Sequence, residues 1–156
     1  DVRERIWIVT PYFVPDEATL LALVSAAARG VAVELFVSAI GDQYFVYHAQ
    51  RSYYEALLRA GVSIYLYRAP TVLHSKHFSI DDDVAVIGSS NMDIRSFSLN
   101  MEVSVIVHGR RFVDRLRVVE DDYRAHSDRL ELEDWMRRPL LGKVNDSLAR
   151  LTSSLQ

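Results

Sequence analysis

The chain has 156 residues, 49% of them hydrophobic and 25% charged, with a formal net charge of −3. Those totals allow one domain with a proper hydrophobic core and exclude disordered and fibrous classes. The acidic balance argues against a nucleic-acid partner held by phosphate neutralisation, and the absence of cysteine removes disulfides, thiolate chemistry and cysteine-ligated zinc.

No window approaches the roughly 18 apolar residues of a membrane span. The abrupt start on DVRERIWIV is read as that of a domain excised from a longer protein, whose membrane anchor would lie upstream. RIWIVT (5–10) reads as a short strand closed by PYFVPD, whose two prolines forbid continuation. Asp16 is placed as the N-cap of a helix that Gly30 ends. VAVELFVS (31–38) follows as a buried strand, Tyr44 to Ala60 as one helix closed by Gly61, and VSIYLY (62–67) as an alternating strand. This rhythm favours a sheet with helices packed on its faces.

The second half changes pattern. HSKHFSI and VAVIG read as two strands joined by the turn Asp81-Asp82-Asp83, followed by a loop and a strand NMEVSVIV (100–107). Residues 110–126 read as a helix with Phe112, Leu116, Val119 and Tyr123 on its apolar face. The last segment opens at Trp135 and places Leu141, Val144, Leu148, Leu151 and Leu155 at helical spacing. The expected fold class is α/β, a mixed β-sheet sandwiched by helices, with a C-terminal amphipathic helix. That helix either packs on the sheet or lies on an anionic bilayer beside Arg137, Arg138, Lys143 and Arg150.

Two residues in this pattern carry chemistry. Strand alternation turns His74 and Lys76 to one face. A histidine can serve as nucleophile or proton shuttle near neutral pH, and a lysine can hold an anionic oxygen. Downstream, Gly88-Ser89-Ser90-Asn91 supplies small residues and hydrogen-bond donors, so together these groups describe a phosphate pocket. Glu102, a charge among alternating valines, is the candidate carboxylate to orient His74, although a solvent-facing role satisfies the same pattern. Spacing alone also leaves His-x-Lys open to a surface reading and Asp81 to a turn role. Metal ligation by His74, His77 and Asp81 is disfavoured, since the two histidines fall on opposite strand faces.

These residues resemble the H-x-K-x-x-x-x-D signature of the phospholipase D superfamily, followed by its G-[ST]-x-N. TPYFVPDEATL, RSYYEALLRAGVSIYLY, GSSNMDIRSFSLNMEVSV and EDWMRRPLLGKVNDSLARL resemble, in order, the C-terminal half of bacterial cardiolipin synthases. The resemblance implies a phospholipase D-like domain over residues 1–156, one half of a two-motif enzyme. It makes His74 the catalytic histidine, Lys76 and Asn91 phosphate ligands, Ser89 and Ser90 the adjoining turn, and Glu102 the histidine's carboxylate partner. Asp81 and Gly88 become structural motif residues, while Arg95 and Arg51 become further pocket-side groups. No cofactor or metal is implied.

The implied reaction makes cardiolipin from phosphatidylglycerol through a phosphohistidine, with glycerol released. The implied partners are anionic phospholipid, a membrane surface (the bacterial cytoplasmic membrane for the parent protein), and either the N-terminal half or a second copy as a homodimer. His48, His77, His108 and His126 lack the lysine two residues on, so the chain carries a single motif. A phosphodiesterase or nuclease of the same superfamily, and an inactive half-site acting as a binding or assembly module, stand as alternatives.

Overall fold

A computed structural model describes residues 2–41, 43–139, 146, 148 and 149. The chain runs β1 (Arg5–Val9), β2 (Phe13–Val14), α1 (Glu17–Ala28), β3 (Ala32–Ser38), α2 (Tyr44–Arg51), α3 (Tyr54–Arg59) and β4 (Ser63–Tyr67). It continues with β5 (His77–Ile80), β6 (Val84–Gly88), β7 (Met92–Asp93), α4 (Ile94–Ser98), β8 (Ser104–His108), α5 (Arg110–Ala125), β9 (Ser127–Leu130) and α6 (Leu132–Met136). Seven strands form one mixed sheet in the order β8-β6-β5-β1-β3-β4-β9, and β2 pairs with β7 in parallel.

Alternation along the strands divides the core. Ile6, Ile8, Val33, Leu35, Val37 and Ile64 join the buried residues of α1, α2 and α3. Trp7, Val9 and Phe36 point the other way, where Tyr65, Tyr67 and Tyr123 of α5 complete a smaller aromatic cluster. Trp7 stacks on Phe36 with centroids 5.1 Å apart, and Phe36 on Tyr65 at 4.7 Å. The expected α/β sandwich is therefore present. Asp16 caps α1 by accepting the Thr19 amide at 2.8 Å.

Several boundaries differ from the sequence expectation. The helix drawn over 44–60 is two helices: the Ser52 hydroxyl donates to the Ala49 carbonyl and the Tyr53 amide to the Gln50 carbonyl, tightening one turn between α2 and α3. The strand drawn from His74 begins at His77. Its register with β1, Val9 opposite His77, would set Ser75 against Pro11, which has no amide to give. The strand drawn from Asn100 begins at Ser104, because the Ser89 side chain takes over as acceptor for the Val103 amide where the β6–β8 ladder ends. On α5 the buried side chains are Val113 and Glu120, and Phe112 and Val119 face solvent. The C-terminal leucine stripe lies outside the described residues except Leu148, which is exposed.

Candidate active site

The hairpin β5–β6 and the segments flanking it carry the motif residues. Gly88 donates to the Lys76 carbonyl at 3.1 Å, extending alternation one step beyond β5. Lys76, Phe78, Val86, Gly88, Ser90 and Ser104 consequently line one depression, with Phe97 of α4 at its wall. The shared orientation of His74 and Lys76 holds although neither is in a regular strand: Lys76 Nζ lies 3.2 Å from His74 Nδ1 and donates to the His74 carbonyl at 2.9 Å. His74 is solvent-exposed. Burial draws Lys76 below the ordinary lysine range against the opposing pull of the Glu102 and Asp93 carboxylates, so both carboxylates act on this ammonium.

Glu102 accepts the Ser89 hydroxyl and, at 3.5 Å, the Asn100 amide. Among the described residues no hydrogen bond joins it to His74. Ser89 ties the two segments together, since its Oγ also accepts the Val103 amide at 3.1 Å. Gly88 has its own steric reason: a Cβ there would collide with Val103 O and with Ser104.

Asn91 is held by its backbone. Its amide donates to Ser96 Oγ at 3.2 Å, its carbonyl accepts Ser90 Oγ at 3.2 Å, and its side-chain Oδ1 is buried with no hydrogen-bond partner. The next residue, Met92, donates its amide to Thr10 Oγ1 at 3.2 Å and starts β7, which fastens this loop to β2. Gln50, buried in α2, accepts the Phe13 amide at 2.8 Å and so supports β2 from below. Asp93 caps α4 through the Ser96 amide at 2.7 Å. Thr10, Asp93 and Ser96 escaped the sequence reading; Asp93-x-x-Ser96 carried only a generic capping signal.

Beyond Asn91 opens a groove of about 410 Å³, walled by Tyr12, Val14, Phe45 and Val46, with Asn91 and Arg95 at its polar side. Arg95 thus shares the groove with Asn91. Arg51 does not: it pairs with buried Asp146 at 3.4 Å and lies over the rings of Tyr47 and Trp135. Arg138 and His48 grip the same carboxylate at 2.6 and 2.7 Å.

Asp81 ends β5 in a left-handed conformation (φ 49°) and accepts three backbone amides, from Arg3, Glu4 and Arg5 at 2.9–3.0 Å. Its carboxylate thereby stitches the hairpin turn to the start of β1.

A sandwich with this paired histidine and lysine fits the phospholipase D-like domain that the sequence resembles. Residues 2–121 match the family described as "Cardiolipin synthase, PLD-like domain", and the chain belongs to that family. It is 40% identical to the cardiolipin synthase of Geobacillus kaustophilus and 41% identical to that of Halalkalibacterium halodurans, over 98% of this chain and 30% of each relative. It is 35% identical to cardiolipin synthase A of Proteus mirabilis, over 98% of this chain and 31% of that protein. The chain thus spans about a third of the length of the curated relatives it matches.

Two solved structures share the fold. The phospholipase D family member Nuc from Salmonella typhimurium superposes with a TM-score of 0.72 at 18% identity, covering 84% of each chain. Phosphatidylserine synthase from Haemophilus influenzae gives 0.75 at 16% identity, over 99% of this chain and 40% of that one.

Proposed function

We propose that the chain is a catalytic half of a phosphatidyltransferase that makes cardiolipin from phosphatidylglycerol. The observation that carries this reading is His74 against Lys76, whose ammonium also feels the Asp93 carboxylate; Asp93 in turn lines, with Asn91, the groove with aromatic and apolar walls. A phosphodiester seated there meets a nucleophile and a cation, and the groove offers its glycerolipid portion an apolar wall. That wall and the net charge of −3 favour a lipid over a nucleic acid.

In this reading one histidine attacks phosphorus and forms a P–N bond while the P–O bond to glycerol breaks; a second histidine gives the departing alkoxide its proton. The hydroxyl of another phosphatidylglycerol then attacks the phosphohistidine, its proton passes to the second histidine, and the P–N bond breaks. Lys76 and Asn91 hold the non-bridging oxygens, and Ser89 and Ser90 hold the turn that presents Asn91. Glu102 acts by its charge on Lys76 and by orienting the histidine once substrate is bound.

The second histidine comes from another domain, the N-terminal half or a second copy. An exposed apolar ridge supports such pairing. Met101, Val103, Val105 and Ile106 are 58–102% exposed along the edge strand β8 and the segment leading into it. Side chains of this size gain about 1.5–3 kcal/mol each on burial. The membrane location of the parent protein is part of the same proposal; among the described residues no helix is long and apolar enough to cross a membrane.

The test is glycerol release from phosphatidylglycerol vesicles over a protein concentration series, with His74→Ala alongside and with the N-terminal half added back. Release that needs a second half-site and vanishes in the variant supports the proposal. A folded, two-half protein that cleaves oligonucleotides and leaves the lipid untouched would sink it in favour of a nuclease.

A further inference from the structure

The odd-numbered face of β5 is wired to α5 along its whole length. Ahead of the strand, Ser75 Oγ lies 3.0 Å from His77 Nδ1. His77 Nε2 lies 3.5 Å from Glu120 Oε1, an ion-pair contact that falls short of a hydrogen bond, with side chains only 3% and 0% exposed. Ser79 Oγ donates to the same carboxylate oxygen at 2.7 Å. Arg117 donates to Glu120 Oε2 at 2.7 Å, to Ser79 Oγ at 2.9 Å and, at the far end, to the Asp81 carbonyl at 2.5 Å.

Stability is a poor reason for this arrangement. A buried, hydrogen-bonded charge pair is commonly no better than apolar side chains of equal volume. What sets β5 apart is the cargo just before it: Ser75 is flanked by His74 and Lys76, in a segment that has lost its ladder to β1 at Pro11. The Ser75 hydroxyl reaches the opposite side from Lys76 and is held there by a ring that is itself oriented.

The protons can be assigned. Burial pushes the Glu120 carboxyl up, but His77, Ser79 and Arg117 together outweigh it and hold the group below its ordinary range. Ionised Glu120 only accepts, so it faces an N–H on His77 Nε2. In the neutral ring His77 Nδ1 is then left to accept the Ser75 hydroxyl.

We propose that Ser75, His77 and Glu120 are a positioning relay that fixes the peptide presenting His74 and Lys76. The proposal rests on the reading of those two residues as the reacting pair. None of the three relay residues touches the phosphodiester; they replace, from behind, the pairing to β1 that 74–76 lack.

In the full-length protein, Ser75→Ala and His77→Phe lower kcat for phosphatidyl transfer on the order of ten- to a hundredfold, with KM within about twofold. Ser75→Thr restores most of the rate. The Ser75→Ala/His77→Phe double variant is no slower than His77→Phe alone, because the serine acts through the ring. Wild-type kcat in Ser75→Ala, or losses that multiply in the double variant, overturns the relay. A second measurement is independent of turnover: nitrogen NMR of the His77 ring reports the Nε2–H tautomer with Nδ1 as acceptor, and an Nδ1–H tautomer overturns the relay. If the wild-type full-length protein transfers no lipid, the functional reading fails, and the tautomer still decides the relay.

Discussion

Lys76 grips the residue it is meant to assist: its ammonium lies 2.9 Å from the His74 carbonyl oxygen and 3.2 Å from His74 Nδ1. An ammonium only donates, so this contact needs a lone pair on Nδ1, which puts the ring proton on Nε2. An incoming phosphodiester oxygen competes with His74 for the lysine. Lys76→Met therefore weakens inorganic phosphate binding about tenfold or more, the weight of one charge-assisted contact. Burial holds the Lys76 ammonium below the ordinary lysine range, so wild-type affinity falls with rising pH earlier than for an ordinary lysine. Calorimetric titration at several pH values checks both statements; equal affinity in the variant would remove Lys76 from the site.

Asp81 gives a stability test in acid. Burial raises its carboxyl, and the amides of Arg5, Glu4 and Arg3 outweigh that, leaving it below its ordinary value of 3.8. A depressed carboxyl contributes stability that is fully present above the unfolded value and is lost as pH falls through the folded one. Asp81→Asn keeps a side chain that tolerates positive φ but turns an N–H toward those amides. Urea unfolding at pH 7 should show a loss on the order of 1 kcal/mol, discounted for solvent access. The difference should shrink near pH 3. A constant difference between the two pH values would remove the carboxylate's charge from the explanation.

Gly88→Ala tests the join between the two motif segments. The new methyl meets Val103 O and Ser104 from the start, so β8 must shift, at about 1–3 kcal/mol. The shift parts Ser89 from Glu102. Faster amide exchange at Ser104 and Val105 accompanies it, and unchanged protection there would show that the close approach is unimportant.

The apolar ridge predicts association. Met101→Glu with Val105→Lys puts charges on side chains that are 102% and 58% exposed, so the fold is little affected. Sedimentation of the variant should show loss of self-association, or of binding to the N-terminal half, at concentrations where the wild type pairs. Unaltered assembly would move the pairing surface elsewhere.

Much of this was legible in sequence because short-range rules governed it. Asp16 caps its helix, the three aspartates turn the hairpin, and β1, β3, β4 and β6 follow their apolar runs. The histidine and lysine were singled out by chemistry and spacing and given their role by the family resemblance, and the two side chains are apposed even though the strand starts three residues later. What was hidden depends on partners remote in the chain. Ser127–Leu130 forms an edge strand because β4 offers it a ladder, although the sequence reading assigned no element between residues 126 and 135. The face of α5 was misread because one of its two buried side chains, Glu120, is charged; it pairs with Arg117 on its own helix and accepts the hydroxyl of Ser79, about 40 positions away. Arg51 was misplaced since its carboxylate, Asp146, lies 95 residues downstream (146 minus 51).

The strand order has a consequence for biosynthesis. β1, the first strand made, sits at the centre of the sheet, and each later strand pairs with one already synthesised: β3 and β5 with β1, β4 with β3, β6 with β5, β8 with β6 and β9 with β4. No strand of this sheet has to be held open for one still to come. The sheet can therefore grow outward from its middle as the polypeptide leaves the ribosome, with the apolar ridge at β8 among the last surfaces to be exposed.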